Sequence, residues 1–187
     1  MPAIDVVHRD VRTPDRLRPL VTSCGRGRRR KGRSALGILT GDMRRVVETQ
    51  LGFVATICPD GTPNLSPKGT TAVWDDDHLV FAHIHSPRTV ANLRSNPNIE
   101  INVVDQLVRK GYRFKGTAIV ETDGDVFERG VRFYEARGTP RARERIKAIV
   151  IVAVERALPV TSPAYDLGAT EDELREMWFA RLTGHQR

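Results

Sequence analysis

Two short segments of this sequence gather side chains that could grip a ligand. Pro63-Asn64-Leu65-Ser66-Pro67-Lys68-Gly69-Thr70-Thr71 concentrates hydroxyls, an amide and one lysine in apolar surroundings. Ser86-Pro87-Arg88 reads as a helix start, in which serine can cap, proline suits the first helical position and arginine falls in the first turn. The free N–H groups and positive dipole end of a helix start make a ready anion site. A cation there ordinarily opposes the dipole, so Arg88 makes sense where an anion sits between it and the amides. Lys68, Ser66, Ser86 and Arg88 could together enclose a phosphate dianion, with arginine as a bidentate fork, lysine as a point charge and the serines as neutral donors. Spacing alone leaves a plainer reading open for each: Ser86 a structural cap, Arg88 solvated, Lys68 on an exposed edge.

Other chemistry is less well supported. His83 and His85 are two apart on a strand and would face one side as a metal pair, yet no third ligand accompanies them, and a structural or pocket-edge role is expected. Asp75-Asp76-Asp77 suggests calcium, but without EF-hand spacing or a distal glutamate it reads as a solvated turn. Cys58 has no nearby base and reads as a small core hydrophobe, Cys24 lies in the leader, and Trp74 and Trp178 read as core. No CxxC or Cys/His zinc spacing, no GxGxxG and no GxxxxGK[ST] occurs, which argues against zinc modules, Rossmann folds and P-loops.

These residues need elements to hold them. The chain has 187 residues, 40% hydrophobic and 28% charged, as expected of one globular domain. No run approaches the ~18 apolar residues of a membrane span. The net charge of +7 is local: residues 1–35 hold ten basic and three acidic side chains, and the remainder balances. The segment 25–33 reads GRGRRRKGR, too polar to offset its own ordering entropy. Residues 1–37 are therefore expected to be a basic, disordered extension, and 38–187 the folded domain. Such an arm could neutralise phosphates of nucleic acid or anionic lipid, but no aromatic residue interleaves the arginines to stack a base. Neither nucleic acid nor membrane is the expected partner. The short apolar stretch 35–39 falls below the ~7–15 residues of a secretory h-region, and a reducing cytoplasm is the expected compartment.

Thr40 or Asp42 caps a short helix near residues 40–48. Residues 51–58 (LGFVATIC) form a β-rich run stopped by Pro59-Asp60-Gly61-Thr62, in which proline sets the angle and glycine accepts positive φ. Strands are expected at 64–68, 70–74 and 78–83, the last two joined by the acidic turn. A helix from Ser86 stops at Asn96-Pro97, and strands follow at 100–105 and 112–121. Residues 123–137 read as a helix with Val126, Phe127, Val131 and Tyr134 on one side, and 146–157 as a strand apolar on both faces. A terminal helix over 170–182 opens with a capping box, Thr170 and Glu173, and its expected buried stripe is Leu174, Met177, Trp178 and Leu182. Short strands at hairpin spacing, with few helices between them, predict a mainly β fold with peripheral helices: an antiparallel barrel of six or so strands.

Residues 51–118 resemble the pyridoxamine 5′-phosphate oxidase-like family of FMN-binding split β-barrels and its flavin/deazaflavin oxidoreductase relatives. The matching text is GFVATICPDGTPNLSPKGTTAVWDDDHLVFA, then SPRTVANLRSNPNIEINVVD, then GYRFKGTA, with a looser continuation to Tyr165. In that family, the strand after the first Asp-Gly turn and the Ser-x-Arg/Lys at the next helix bind the flavin phosphate and ribityl chain. Carried over, Asn64, Ser66 and Lys68 occupy the first motif, and Ser86 and Arg88 the second. The strand bearing Thr70 and Thr71 would flank the isoalloxazine, largely through backbone groups. Arg113-Phe114-Lys115-Gly116 matches the family's Arg-x-x-Gly strand. Members are homodimers with two flavins at the interface, so the resemblance implies that Arg113 serves the partner's site. Tyr165 either lines the substrate side of the flavin or anchors a packed loop.

The chain also departs from the family. It ends Leu182-Thr183-Gly184-His185-Gln186-Arg187, without the substrate-binding Arg-x-His of the phosphate oxidases proper, and Gly111-Tyr112 stand where a glutamine is usual. The resemblance thus implies an FMN-binding oxidoreductase acting on an unidentified small organic substrate. A deazaflavin-dependent reductase and a non-catalytic flavin carrier or sensor are the alternatives. Hydride chemistry would reside in the flavin, which accords with the absence of a Ser/His/Asp triad or carboxylate pair. No residue is singled out as catalytic.

Overall fold

β-Branched runs with alternating exposure become the strands of one antiparallel sheet. The computed structural model describes residues 37–184, so the expected basic extension lies, but for Gly37, outside the described residues. The strands are β1 (Gly52–Ile57), β2 (Pro63–Lys68), β3 (Ala72–Val73), β4 (His78–His83), β5 (Asn98–Asp105), β6 (Lys110–Glu121) and β7 (Ala148–Thr161). They lie in the order β2-β1-β5-β6-β7-β4-β3. The β1–β2 hairpin turns at Gly61, whose φ of 82° is the left-handed conformation glycine accepts without strain. Asp60 steadies that turn by accepting from the Thr62 amide (3.0 Å) and hydroxyl (2.6 Å).

The outermost strands, β2 and β3, are consecutive in the chain and joined by three residues, which curls the sheet into a split barrel. Thr70 closes the seam. Its hydroxyl donates to the Ala82 carbonyl (3.2 Å) and accepts from the Ala82 amide (3.0 Å) on β4. Inside lie Val54, Leu79, Phe81, Ile101, Val103, Phe114, Val150 and Val152, all fully buried. A second layer forms where α3 (Gly124–Ala136) covers the opposite faces of β4 and β7, burying Val80, Val131, Tyr134 and Ile149. This explains why 146–157 is apolar on both faces. Gly130 permits the approach: a Cβ there would lie 2.5 Å from Ile149.

α1 (Gly41–Thr49) is capped by Thr40, and α2 (Pro87–Ser95) begins after Ser86. α4 is the short Ala142–Arg145, and α5 (Glu171–Thr183) carries the expected capping box. The acidic turn is structural: Asp75 accepts from the Asp77 and His78 amides, Asp76 pairs with Arg44 (2.6 Å), and Asp77 accepts from the Ile38 amide (2.9 Å).

Two expectations fail. The strand at 70–74 shrinks to Ala72–Val73 because Thr70 and Thr71 enter the closing turn, where the Thr71 amide and hydroxyl both donate to the Lys68 carbonyl (3.1 and 2.9 Å). On α5, Leu174 alone of the expected stripe is buried, while Met177 (46%) and Leu182 (60%) are exposed. Trp178 is instead half-buried, with the guanidiniums of Arg109 (3.4 Å) and Arg181 (5.0 Å) over its ring, and Lys110 pairs with Glu171 (2.8 Å). Cation–π and ionic contacts with the β5–β6 turn hold this helix, so its apolar period overstated its burial.

Candidate functional site

Alternation along β2 turns Asn64, Ser66 and Lys68 inward and leaves Leu65 65% exposed. Lys68 ends the strand at the seam and keeps only 6% of its surface. Its ammonium donates to Ser66 Oγ and, at 3.5 Å, to the Pro67 carbonyl. No carboxylate among the described residues pairs with it, and burial pushes its pKa below the ordinary lysine value. A buried cation with neutral partners alone carries an uncompensated desolvation cost. An anionic ligand would remove that cost.

Across the seam, β4 ends at His83, and Ser86 holds the capping position ahead of α2. The serine side chain does not cap. Its Oγ lies 3.1 Å from His83 Nδ1, and its amide donates to the same nitrogen at 3.1 Å. The expected capping role is thus replaced by a histidine contact, which leaves the first amides of α2 without a side-chain acceptor. Ser66, Lys68, Gly69, Thr70, His85 and Ser86 line a cleft of about 340 Å³, with Ala82 and Ile84 as apolar wall.

Four of the eight expected binding residues, Ser66, Lys68, Thr70 and Ser86, therefore share one cleft. Arg88 lies in the first turn of α2, exposed and without a hydrogen bond or ion pair among the described residues. It does not line the cleft. Asn64 donates to Thr56 Oγ1 (3.2 Å), which also accepts from Asn92 (3.0 Å) and ties α2 to β1. Thr71 is buried in the turn. Arg113 lies on the outer face of β6, 3.7 Å from Glu100.

The family model for pyridoxamine 5′-phosphate oxidase matches residues 39–158. The chain belongs to the pyridoxamine 5′-phosphate oxidase family. A structure of Group A Streptococcus HupZ is 33% identical over 66% of this chain and 94% of its own, with a TM-score of 0.59. An FMN-binding protein from Syntrophomonas wolfei is 16% identical over 64% of this chain and 84% of its own, TM-score 0.55. An F420 reductase is 21% identical over 64% and 98%, TM-score 0.51. The last two are likenesses of fold. No curated protein matches the sequence.

Within this family member, several lesser expectations settle as structural. Tyr165 donates its hydroxyl to the Val108 carbonyl and carries Lys110 over its ring (4.2 Å), a loop anchor. Trp74 packs on Phe133. His83 is buried and His85 exposed, so they do not form a pair, and no metal-ligating cluster occurs among the described residues. No helix among them is long and apolar enough to cross a membrane. Pro67 and Gly69, within the first motif, also line the cleft, and Ala82 and Ile84 do so unforeseen, because the fold of β4 and the turn after it bring them there; their only sequence signal was nearness to the second motif.

Proposed function

We propose that this protein is an FMN-binding oxidoreductase whose cleft between β2 and α2 takes the flavin phosphate. Lys68 carries the reading: a buried ammonium in a hydroxyl-lined cleft, with no carboxylate partner, suits a phosphate dianion. Ser66 and Ser86 would supply neutral donors, and Arg88 a second charge from the first turn of α2. Family membership and likeness to an FMN-binding protein support the same cofactor. Bound flavin supplies hydride transfer to or from a small organic substrate; the chain's own residues bind it, orient it and exclude water from the phosphate. A free Cys58 thiol suits a reducing cytoplasm.

The homodimer belongs to this proposal. Phe53, Ile57 and Leu65 are exposed together on the outer face of the β1–β2 hairpin, where Ala55 pairs with Leu65. Register continues that face to Arg113, since Phe53 pairs with Asn102 and Asn102 with Arg113. Pro67, opposite Phe53, also lines the cleft. A second copy seated on this face would cover apolar surface beside the cleft and bring Arg113 towards its partner's flavin.

Purification followed by a visible spectrum and identification of the ligand released on denaturation tests the reading. FMN absorption is expected; released deazaflavin would move the assignment to the reductase likeness of the F420 enzyme. Turnover with reduced nicotinamide and quinone-like acceptors separates an enzyme from a carrier. Failure of added FMN or F420 to bind would refute the proposal.

A further inference from the structure

Both hydrogens that Ser86 could offer an anion are already engaged. The backbone amide of Ser86 donates to His83 Nδ1 at 3.1 Å, so that nitrogen bears a lone pair and the ring hydrogen of the neutral imidazole is on Nε2. Ser86 Oγ, also 3.1 Å from Nδ1, can then only donate to it. One lone pair thus holds the amide and the hydroxyl of the residue at the mouth of α2. His83 is buried and ends β4, and the cofactor reading gives it no role of its own beyond this contact with Ser86.

We propose that His83 is a positioning residue that gates the phosphate site: neutral, it holds the Ser86 donors back, and protonated, it releases them to the anion. This rests on the flavin-phosphate reading above. A proton on Nδ1 abolishes its acceptance. The Ser86 oxygen then accepts from Nδ1–H, and its own hydrogen is free to turn to the phosphate. The imidazolium also adds a positive charge beside Lys68. The charged and titratable groups around His83 are Lys68 on β2, Lys147 ahead of β7, Arg94 on α2 and His85 between β4 and α2. Burial first, then Lys147 and Lys68, hold its pKa below the ordinary histidine value, so the ring is neutral at pH 7. Phosphate is the missing counter-charge that would favour its protonation.

The test is the FMN dissociation constant of wild type and His83→Asn from about pH 8 to about pH 5, where an imidazole changes charge. Asparagine keeps an acceptor oxygen but does not titrate. FMN's own phosphate protonation weakens binding equally in both proteins, so the ratio of the two constants isolates His83. Wild type is expected to gain on the variant by about fivefold or more as pH falls, the lower bound of ordinary site coupling. His78→Asn, at the opposite end of β4 where the ring contacts Asp75 and not the cleft, should keep that gain over His83→Asn. A constant ratio, or a gain over His83→Asn that disappears in His78→Asn, overturns the inference while leaving the cofactor reading intact. Absence of FMN binding by wild type at every pH overturns both. Should His83→Asn not fold, NMR titration of the wild-type imidazoles decides: by reciprocity, FMN must raise the His83 midpoint by the same factor, and an unmoved midpoint refutes the gate.

Discussion

Two hollows among the described residues differ in character. One, of about 470 Å³, lies on the outer face of the sheet and is lined by Ala55, Ile57, Ile99, Glu100, Lys115 and Glu155. Its lysine is exposed and satisfied, with Lys115 3.0 Å from Glu100. The other, of about 340 Å³, is the seam cleft, whose Lys68 is buried and has only neutral partners. The larger hollow keeps its charges on exposed or half-buried side chains, with Lys115 paired to Glu100 and Glu155 accepting from Thr117, and reads as surface to be covered; the smaller holds a buried cation with no carboxylate partner and reads as a ligand site. A buried charge without a counter-charge discriminates between them, and volume does not.

Breaking the distinction is simplest at Lys68. Lys68→Ala is expected to weaken FMN binding by about 1.5–3 kcal/mol, roughly 10- to 150-fold, the scale of a charged hydrogen bond. Equilibrium titration followed by flavin fluorescence measures it. Arg88→Ala falls at the low end, about 1.5 kcal/mol, because Arg88 is exposed and solvent screens it; unfolding of this variant should match wild type. Unchanged affinity in both variants would contradict the site.

Ligand-free stability sharpens the same contrast. The folded state depresses the Lys68 pKa, so between that value and the unfolded value of about 10.4 the unfolded chain binds more protons. Stability attributable to Lys68 is therefore lowest where it is protonated in both states and rises as pH climbs through this window. Denaturant midpoints of wild type should gain on those of Lys68→Met from neutral to alkaline pH. The smallest effect belongs to the outer face: Lys115→Ala should cost about 0–1 kcal/mol, the range of an exposed ion pair, and keep the preference for FMN over riboflavin.

Much of the architecture was legible because local rules and tertiary context agree. Thr40 and the Thr170–Glu173 box cap their helices as residue type and spacing require, and β4 spans 78–83 as its apolar run indicates. Context prevailed at Thr70 and Thr71, whose β propensity yielded to the closing turn, and on α5, where Arg109 and Lys110 supply a surface that periodicity does not reveal. In the cleft, the two motifs converged on Lys68 and Ser86. The His83–Ser86 contact was hidden because Ser-Pro-Arg reads equally well as a capped helix, and only the geometry shows the hydroxyl turned to the imidazole.

In the proposed cofactor site, Lys68 binds the phosphate. Titrating wild type and Lys68→Ala with FMN and with riboflavin, which differ only in that group, tests it most directly. Wild type should bind FMN about tenfold or more tightly than riboflavin, the energy of one charge-assisted contact, and Lys68→Ala should lose most of the difference. Equal affinities for the two ligands in wild type, or a preference untouched by the substitution, would contradict it.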